Sequence, residues 1–323
     1  MKKVALIIVS ALICGVALNS CDKNDPKDEE GIVGIEDISL DNYPKVDGST
    51  SSSVLSVMVA CKLLGLNYEW DDVLGLGEWH LRPVWTDASE ENKSKFWEHV
   101  KTSQTHGAFM NLIDGEADII LTHRTISPDE KAHAIAKGVT LIETPIALDA
   151  FVFIVNKDNK VKSLTVEQIQ QIYTGDLTNW GQVGGNNADI NVFTRPRNSG
   201  SEEIFRTLVM NGLEPADFPE IPIVAMHGVF REVRTEANGI CYTFNNYKDM
   251  QARVPDSEVP KIAINNIFPD NNTIRNRTYP FISEVHVAIR SDLNHNSMAY
   301  KLYEWLQTEN VKPILTECGF ISK

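Results

Sequence analysis

The sequence has few cysteines and lacks the short motifs that mark common catalytic and metal sites. Five cysteines occur, none of them in a C-x-x-C pair, which argues against a structural zinc site of the usual spacing. Neither H-E-x-x-H nor G-x-S-x-G is present, so no metalloprotease or hydrolase chemistry is specified. We therefore expect no metal, no cofactor and no enzymatic activity.

Positive charge is also scarce. The chain has 30 Lys and Arg against 44 Asp and Glu, and its formal net charge is −14. This balance argues against nucleic acid and anionic membrane surfaces as partners. To bind an anion, such an acidic protein needs a local positive site.

One apolar run near the amino terminus, residues 4–18, follows two lysines. It is too short to span a bilayer comfortably and is typical of a secretory signal. The segment Leu18-Asn19-Ser20-Cys21 resembles the lipobox of bacterial lipoproteins, which implies removal of residues 1–20 and a lipid on Cys21. Residues 21–42 are acidic and predict a flexible tether. We expect an exported protein held at the cell envelope by its lipid alone.

The three remaining cysteines lie in apolar segments and show no metal-binding spacing. Cys61 falls in a helix-like run and Cys241 in a strand-like one, while Cys318 is near the carboxyl terminus. Free cysteine packs as a small hydrophobe, so we expect buried thiols. One disulfide plus one thiol is the alternative.

The length of 323 residues predicts two lobes rather than one small core. Strand-like and helix-like segments alternate, which indicates an α/β fold with open mixed sheets flanked by helices. Two long extended runs, near Pro145 and Pro280, are candidates for the crossings between lobes. We predict lobe 1 from residues 43–146 and 282–323, and lobe 2 from residues 147–281.

Four turns between strands and helices are rich in Ser, Thr and Gly, and two of them contain arginine. They are residues 48–53, 103–107, 122–124 and 195–201. In open α/β sheets, ligands bind outside the carboxyl ends of the strands. Convergence of these turns would surround a small oxyanion with hydroxyls, backbone amides and arginine in a cleft between the lobes.

The last of these turns carries the most specific signal. Ser199 is a candidate N-cap with Glu202 in capping-box register, and Gly212 suits the end of the helix. Free backbone N–H groups and the helix dipole favour an anion at such a terminus, and Arg195 offers a guanidinium fork. An ordinary capped helix is the alternative, but the arginine and the N-S-G-S run favour anion binding.

Residues 66–100 are rich in tryptophan, with Trp70, Trp79, Trp85 and Trp97. We expect these side chains to be scattered core aromatics. A cleft lining or a partner surface is the alternative.

Several motifs resemble, in the same order, those of the phosphate-binding protein of bacterial high-affinity phosphate ABC transporters. The resemblance covers roughly residues 44–320 and rests on Asp47-Gly48-Ser49-Thr50, Ala117-Asp118-Ile119, Thr174-Gly175-x-x-Thr178-Asn179-Trp180, Arg195-x-x-Asn198-Ser199-Gly200-Ser201 and Gly239-Ile240-Cys241-Tyr242. It implies a monomeric, two-lobe receptor of the periplasmic-binding-protein type (type II-like) that closes about a hinge. Such a receptor captures inorganic phosphate and delivers it to an ABC permease.

The resemblance also implies a set of phosphate ligands, carried over by position. They are Thr50, Ser51, Thr105, Arg195, Ser199, Gly200 and Ser201, together with His123 and Arg124. His123 stands where well-studied members of the family carry an aspartate. A structural role for His123 and a surface ion pair for Arg124 are the alternatives. Other functions consistent with the sequence are a non-transport phosphate or oxyanion sensor, a surface binding module and a tethered phosphoesterase.

Overall fold

The computed structural model describes residues 33–72, 77, 79–86, 88–221 and 226–323. The predicted signal, Cys21 and most of the predicted tether lie outside these residues. From Gly34 onward the chain belongs to one unit of internal contacts. The last part of the predicted tether forms turns, in which the backbone N–H of Ser39 donates to Asn42 Oδ1 (2.8 Å). The Lys95 ammonium pairs with Asp41 at 2.5 Å.

The described residues form strands of two to fifteen residues. They are β1 (Val46–Gly48), β2 (Tyr68–Asp71), β3 (His80–Pro83), β4 (Ile119–Thr122), β5 (Leu141–Val155), β6 (Ser163–Leu164), β7 (Asn191–Val192), β8 (Gly239–Phe244), β9 (Ala263–Ile264), β10 (Ile282–Arg290) and β11 (Ile321–Ser322).

Seven of these strands form one mixed sheet in the order β1-β4-β10-β5-β8-β7, with β11 also pairing with β5. The β1–β4 and β7–β8 pairs are parallel, and the other pairs in the sheet are antiparallel. From Leu141 to Ala150, β5 pairs with β10, and from Phe151 to Val155 it pairs with β8. This one strand therefore joins the two halves of the sheet.

Helices cover the faces of the sheet. They are α1 (Ser53–Leu64), α2 (Glu90–His99), α3 (Gln104–Asp114), α4 (Pro128–Lys137), α5 (Val166–Thr174), α6 (Gly200–Ile204), α7 (Gly228–Thr235), α8 (Asn271–Arg275), α9 (Met298–Trp305) and α10 (Lys312–Glu317). Short 3₁₀ segments lie at Thr50–Ser52, Trp180–Val183 and Glu309–Val311, and π-helical turns at Phe205–Met210 and Tyr247–Gln251. None of the helices in the described ranges has the length and apolar character needed to cross a membrane.

Around β5 and β8, aromatic rings pack against one another in a large hydrophobic cluster. Phe205 stacks on Tyr242 with ring centroids 4.7 Å apart, and Tyr173 lies 4.5 Å from Phe205. Such contacts add to the free energy that burial of the rings already supplies. A second cluster joins α3 to β4 through Phe109 and Ile120.

The prediction of buried free thiols is confirmed, because Cys61, Cys241 and Cys318 are all buried and unpaired. The prediction for the tryptophans is wrong. Trp97 is 45% exposed, and the other three are only partly buried. Trp70 lies in β2, which pairs only with β3 in an antiparallel hairpin. A sheet of two strands is too small to cover both sides of a tryptophan ring.

Candidate functional site

A small pocket forms where three of the four predicted turns meet. Its walls combine hydroxyl groups, one guanidinium and two apolar side chains, and it encloses about 30 Å³. The lining residues are Ser49, Thr50, Ser51, Gln104, Thr105, Arg195, Ser199, Gly200, Ser201, Met226 and Phe244. Pockets for organic ligands usually exceed about 300 Å³. This one therefore suits a small ion.

The first wall is the turn after β1, which is fixed against the end of β4. The backbone N–H of Ser49 donates to Leu121 O at 3.0 Å, and the Ser52 hydroxyl donates to the same carbonyl at 2.6 Å. A Cβ on Gly48 would lie 2.7 Å from Leu121 O. Glycine is needed there because the two strands approach too closely for a side chain.

Asp47 ties the first turn to the second. Its Oδ1 accepts from the backbone N–H of Ser103 at 2.8 Å, and its Oδ2 accepts from Asn111 Nδ2 at 2.7 Å. This carboxylate is buried and holds the start of α3, and with it Thr105, against β1. Asp47 belongs to the Asp-Gly-Ser-Thr motif, but the sequence analysis gave it no supporting role.

The third wall is the turn after β7, with Arg195 at its start. Arg195 is 4% exposed, and its backbone N–H donates to the Tyr242 hydroxyl at 3.1 Å. Ser199 caps α6, since its Oγ accepts from the backbone N–H of Glu202 at 3.2 Å. The predicted N-cap is thus confirmed. The π-helical turn that follows α6 ends at Met210, and its C-cap is Asn211, in the left-handed region (φ 47°), rather than Gly212.

Glu202 supports this wall instead of closing a capping box. It is buried, accepts from the Tyr242 hydroxyl, and also accepts from Arg206 Nε at 2.7 Å. Burial raises the pKa of Glu202, although the bonds from Tyr242 and Arg206 act in the opposite direction. Burial also raises the pKa of Tyr242 well above its ordinary value. The Tyr242 hydroxyl therefore stays protonated and links Arg195 to Glu202.

His123 lies directly behind the pocket rather than in its lining. Its Nδ1 is 2.8 Å from Ser51 Oγ, and its Nε2 is 3.3 Å from Asp149 Oδ2. The ring also packs 4.4 Å from the centroid of Phe244. Nδ1 shares a hydrogen bond with Ser51, whereas Nε2 faces Asp149 without a hydrogen bond. His123 is not among the residues that line the pocket.

Arg124 is directed away from the pocket. Its Nη1 and Nη2 donate to the two carboxylate oxygens of Glu130 at 2.8 and 2.7 Å, and its guanidinium lies 5.1 Å over the ring of Phe109. Glu130 is fully buried. The partner is therefore a core carboxylate and not a surface one, and the structure does not bring Arg124 together with the other predicted ligands.

The same glutamate takes part in a group that resembles a metal site, with His106 and Asp129 close by. His106 Nδ1 lies 3.0 Å from Glu130 Oε1. However, the guanidinium of Arg124 already occupies both oxygens of Glu130. A cation would have to compete with that charge, so the group does not fit a metal ion.

Seven of the nine residues implied by the resemblance line the pocket: Thr50, Ser51, Thr105, Arg195, Ser199, Gly200 and Ser201. Their role as phosphate ligands stays a prediction. Ser49 and Gln104 also line the pocket; they lie in predicted turns but were not among the nine residues. Met226 and Phe244 complete the lining and were not predicted. Phe244 ends β8, so its place at the end of a strand was the available signal.

Comparison with known proteins gives the family. Residues 81–310 match the family described as the PBP superfamily domain. This chain belongs to that family. Its members are solute-binding proteins and not enzymes, in agreement with the prediction of no enzymatic activity.

Curated relatives align over part of their length. The chain is 24% identical over 207 residues to the phosphate-binding protein PstS of Bacillus subtilis, covering 64% of this chain and 65% of the relative. It is 34% identical over 118 residues to protein SphX of Synechococcus elongatus, covering 35% of each. The alignments thus span less than two thirds of these relatives.

Solved structures confirm the fold. A phosphate ABC transporter substrate-binding protein from Clostridium perfringens, solved with bound phosphate, has a TM-score of 0.61 at 21% identity, covering 88% of this chain and 99% of that one. An ABC-type phosphate transport receptor from Vibrio cholerae has a TM-score of 0.60 at 23% identity, covering 86% and 98%. The predicted two-lobe fold with a mixed sheet is confirmed. The lobe boundaries stay a prediction.

Proposed function

We propose that this protein is a substrate-binding protein that captures inorganic phosphate for an ABC importer. The observation that carries the proposal is the pocket itself. One buried arginine and six hydroxyl-bearing side chains line it, and these side chains come from the turns after β1 and β7 and from α3. The names of the relatives, which include phosphate-binding protein PstS, support it.

The charge of the pocket favours an anion. The chain as a whole has a formal net charge of −14, yet the described residues that line the pocket include Arg195 and no carboxylate. Hydroxyls and backbone N–H groups are suited to an oxyanion, because each oxygen of the ion accepts more than one hydrogen bond. An enclosed site also strengthens these bonds by excluding water.

The size of the pocket favours an inorganic ion over a phosphate ester. A pocket of about 30 Å³ suits a small ion better than an organic ester, and the lining residues Ser51, Thr105 and Ser201 are at most 4% exposed. A phosphoesterase would need an open path for its leaving group. The pocket therefore favours binding and release of the whole ion.

The amino-terminal sequence supports the proposed export and lipid anchor, and the similarity to phosphate-binding proteins supports the proposed permease partner. We propose that the protein is exported, that Cys21 carries a lipid anchor, and that the protein works as a monomer with an ABC permease. The two crossings near Pro145 and Pro280 would form the hinge between the lobes. Lobe 1 would comprise residues 43–146 and 282–323, and lobe 2 would comprise residues 147–281. Mass spectrometry of the mature amino terminus tests the anchor, since an unmodified Cys21 would contradict it.

Calorimetry on protein stripped of bound ions tests the function. We expect phosphate to bind with one site per chain and micromolar or tighter affinity. At a concentration of 100 Kd, phosphate should then stabilise the fold by about 2.7 kcal/mol. Glucose 6-phosphate, a phosphate ester, is the matched control and should not bind. Phosphate that produces neither heat nor a shift in Tm would overturn the proposal.

A further inference from the structure

A second cavity lies beside β4, α6 and β10, and none of its lining residues is shared with the pocket. It encloses about 450 Å³ between the loop after β4, residues 203–208 and the first residues of β10. Sites for small organic molecules usually fall between about 300 and 1,000 Å³. The second cavity therefore has room for an organic ligand, whereas the pocket suits a small ion.

The backbone around the second cavity departs from regular geometry in three places. Thr207 lies in the π-helical turn Phe205–Met210. The pairing of β10 with β5 shifts register between Val285 and His286, and Arg277 has a left-handed backbone with φ 57°. Irregularities of these three kinds are over-represented at functional sites. Their coincidence at one cavity indicates a functional site.

The lining of the second cavity includes a carboxylate without a partner. Glu203 is half-buried, and no residue in the described ranges bonds to its carboxylate. The other charges are matched, because Arg277 Nη2 lies 2.6 Å from Glu284 Oε1 and Arg124 is paired with a buried carboxylate. Burial lowers the pKa of His286, so its ring is neutral at neutral pH. The second cavity therefore favours a ligand with a positive group, such as an ammonium.

Two buried polar atoms of the same lining lack a hydrogen-bond partner within the part of the chain that the structure describes. They are Arg124 Nε and Ser283 Oγ, and their residues are 6% and 3% exposed. Buried polar groups are normally hydrogen-bonded, and an unpaired one costs free energy. Arg124 Nε can only donate, and the serine hydroxyl can also donate. These groups therefore favour a ligand with acceptor oxygens.

We propose that the second cavity binds a small amino acid with an apolar side chain. The ammonium group of the amino acid pairs with Glu203, and its carboxylate accepts from Ser283 and Arg124. Its side chain packs against the apolar part of the lining, which includes Ile204 and Leu208. This site is additional to the proposed capture of phosphate.

Two connections join the second cavity to the pocket. The short helix α6 carries Gly200 and Ser201, which line the pocket, and Ile204, which lines the second cavity. His123 lines the second cavity, and its Nδ1 is 2.8 Å from Oγ of Ser51 in the pocket. An occupant that contacts both α6 and the loop after β4 stabilises the form in which the first and third walls of the pocket meet. We therefore expect the amino acid and phosphate to strengthen each other's binding about fivefold or more, a coupling that rests on the proposed function.

Calorimetry of the full chain with L-valine, L-leucine, L-methionine and L-phenylalanine tests the site directly. We expect at least one of them to bind with one site per chain and a Kd of about 1 mM or tighter. 4-Methylpentanoate, which is leucine without its ammonium group, should bind about tenfold or more weakly than leucine. No binding by any of the four amino acids at about 10 mM would overturn the proposal.

Glu203→Gln locates the bound amino acid, because it removes the charge with little change in shape. We expect the affinity for the amino acid to fall about tenfold or more, while phosphate affinity measured without the amino acid stays unchanged. Glu116→Gln is the control, at an exposed glutamate outside the lining of the second cavity. Equal affinities for the amino acid in the two variants would place it elsewhere and would overturn the assignment of the site.

The site and the proposed function can fail separately. Binding of an amino acid by a protein that does not bind phosphate would refute the proposed function and leave the second site standing. Phosphate binding without any binding of the amino acids would refute only the second site. If both bind and neither changes the affinity for the other, the coupling through α6 and His123 is refuted.

Discussion

Arg195 provides the positive charge in the pocket, and its surroundings explain how an acidic protein can hold an anion. The side chain is 4% exposed, and the backbone N–H of Arg195 donates to the Tyr242 hydroxyl. The other residues that line the pocket carry no formal charge, so the guanidinium gives the pocket a local positive potential that favours an anion.

Arg195→Ala should reduce phosphate affinity about ten- to hundredfold, because it removes charge-assisted hydrogen bonds from an enclosed site. Calorimetry measures the change. The control is Arg197→Ala, which removes the same charge two residues away from an exposed position outside the pocket lining. Equal losses in the two variants would indicate a general effect of charge and would contradict a direct contact by Arg195.

The sequence could place the residues of the pocket but not the direction of every side chain. Ser, Thr and Gly in turns after strands follow a local rule, and seven such residues do line the pocket. His123 and Arg124 directly follow β4, yet their side chains face Asp149 and Glu130. These carboxylates meet them only through the tertiary fold. The lone aspartate in the apolar run of β5 was the available signal for Asp149.

At the scale of elements, local capping explains which helices the sequence could predict. Ser127 with Glu130 and Thr165 with Gln168 form capping boxes at the starts of α4 and α5, and short-range signals of this kind are readable from residue types alone. The β2–β3 hairpin carries no such signal. Its Trp70 and Trp79 pack on Arg253, a partner more than 170 residues away in the sequence.

Gly200→Ala should prevent α6 from approaching α3. A Cβ at residue 200 would lie 2.2 Å from Thr105 Oγ1 and 3.1 Å from Thr105 Cβ, so the two walls of the pocket must separate. We expect phosphate affinity to fall at least about tenfold, since closure removes water from the site. The double variant with Thr105→Ala removes the closest atom and keeps only the 3.1 Å contact between the two Cβ atoms, so it should recover most of the phosphate affinity of Thr105→Ala alone. Strong binding by Gly200→Ala itself would show that the walls do not need this contact.

At the scale of the whole molecule, the pocket depends on contacts between segments that are far apart in sequence. Gln251 Nε2 donates to Ser51 O at 2.9 Å, and Gln251 O accepts from the backbone N–H of Trp79 at 2.9 Å. The guanidinium of Arg253 lies 4.7 Å from the ring centroid of Trp70 and 4.3 Å from that of Trp79. The hairpin and the segment after β8 therefore hold the first wall of the pocket from outside.

Arg253→Ala should weaken the closed form without touching the anion. Two cation–π contacts contribute roughly 0.5–1 kcal/mol each at an exposed site, so phosphate affinity should fall about five- to thirtyfold, mainly through faster dissociation. Stopped-flow kinetics measures the dissociation rate, and small-angle scattering should show a larger radius of gyration for the ion-free variant that saturating phosphate reduces. Arg231→Ala is the control, since that exposed arginine pairs only with its neighbour Glu232 in the described contacts. If Arg253→Ala releases phosphate at the wild-type rate, the hairpin contacts do not stabilise the closed form, and closure must rest on the pocket lining and the ion alone.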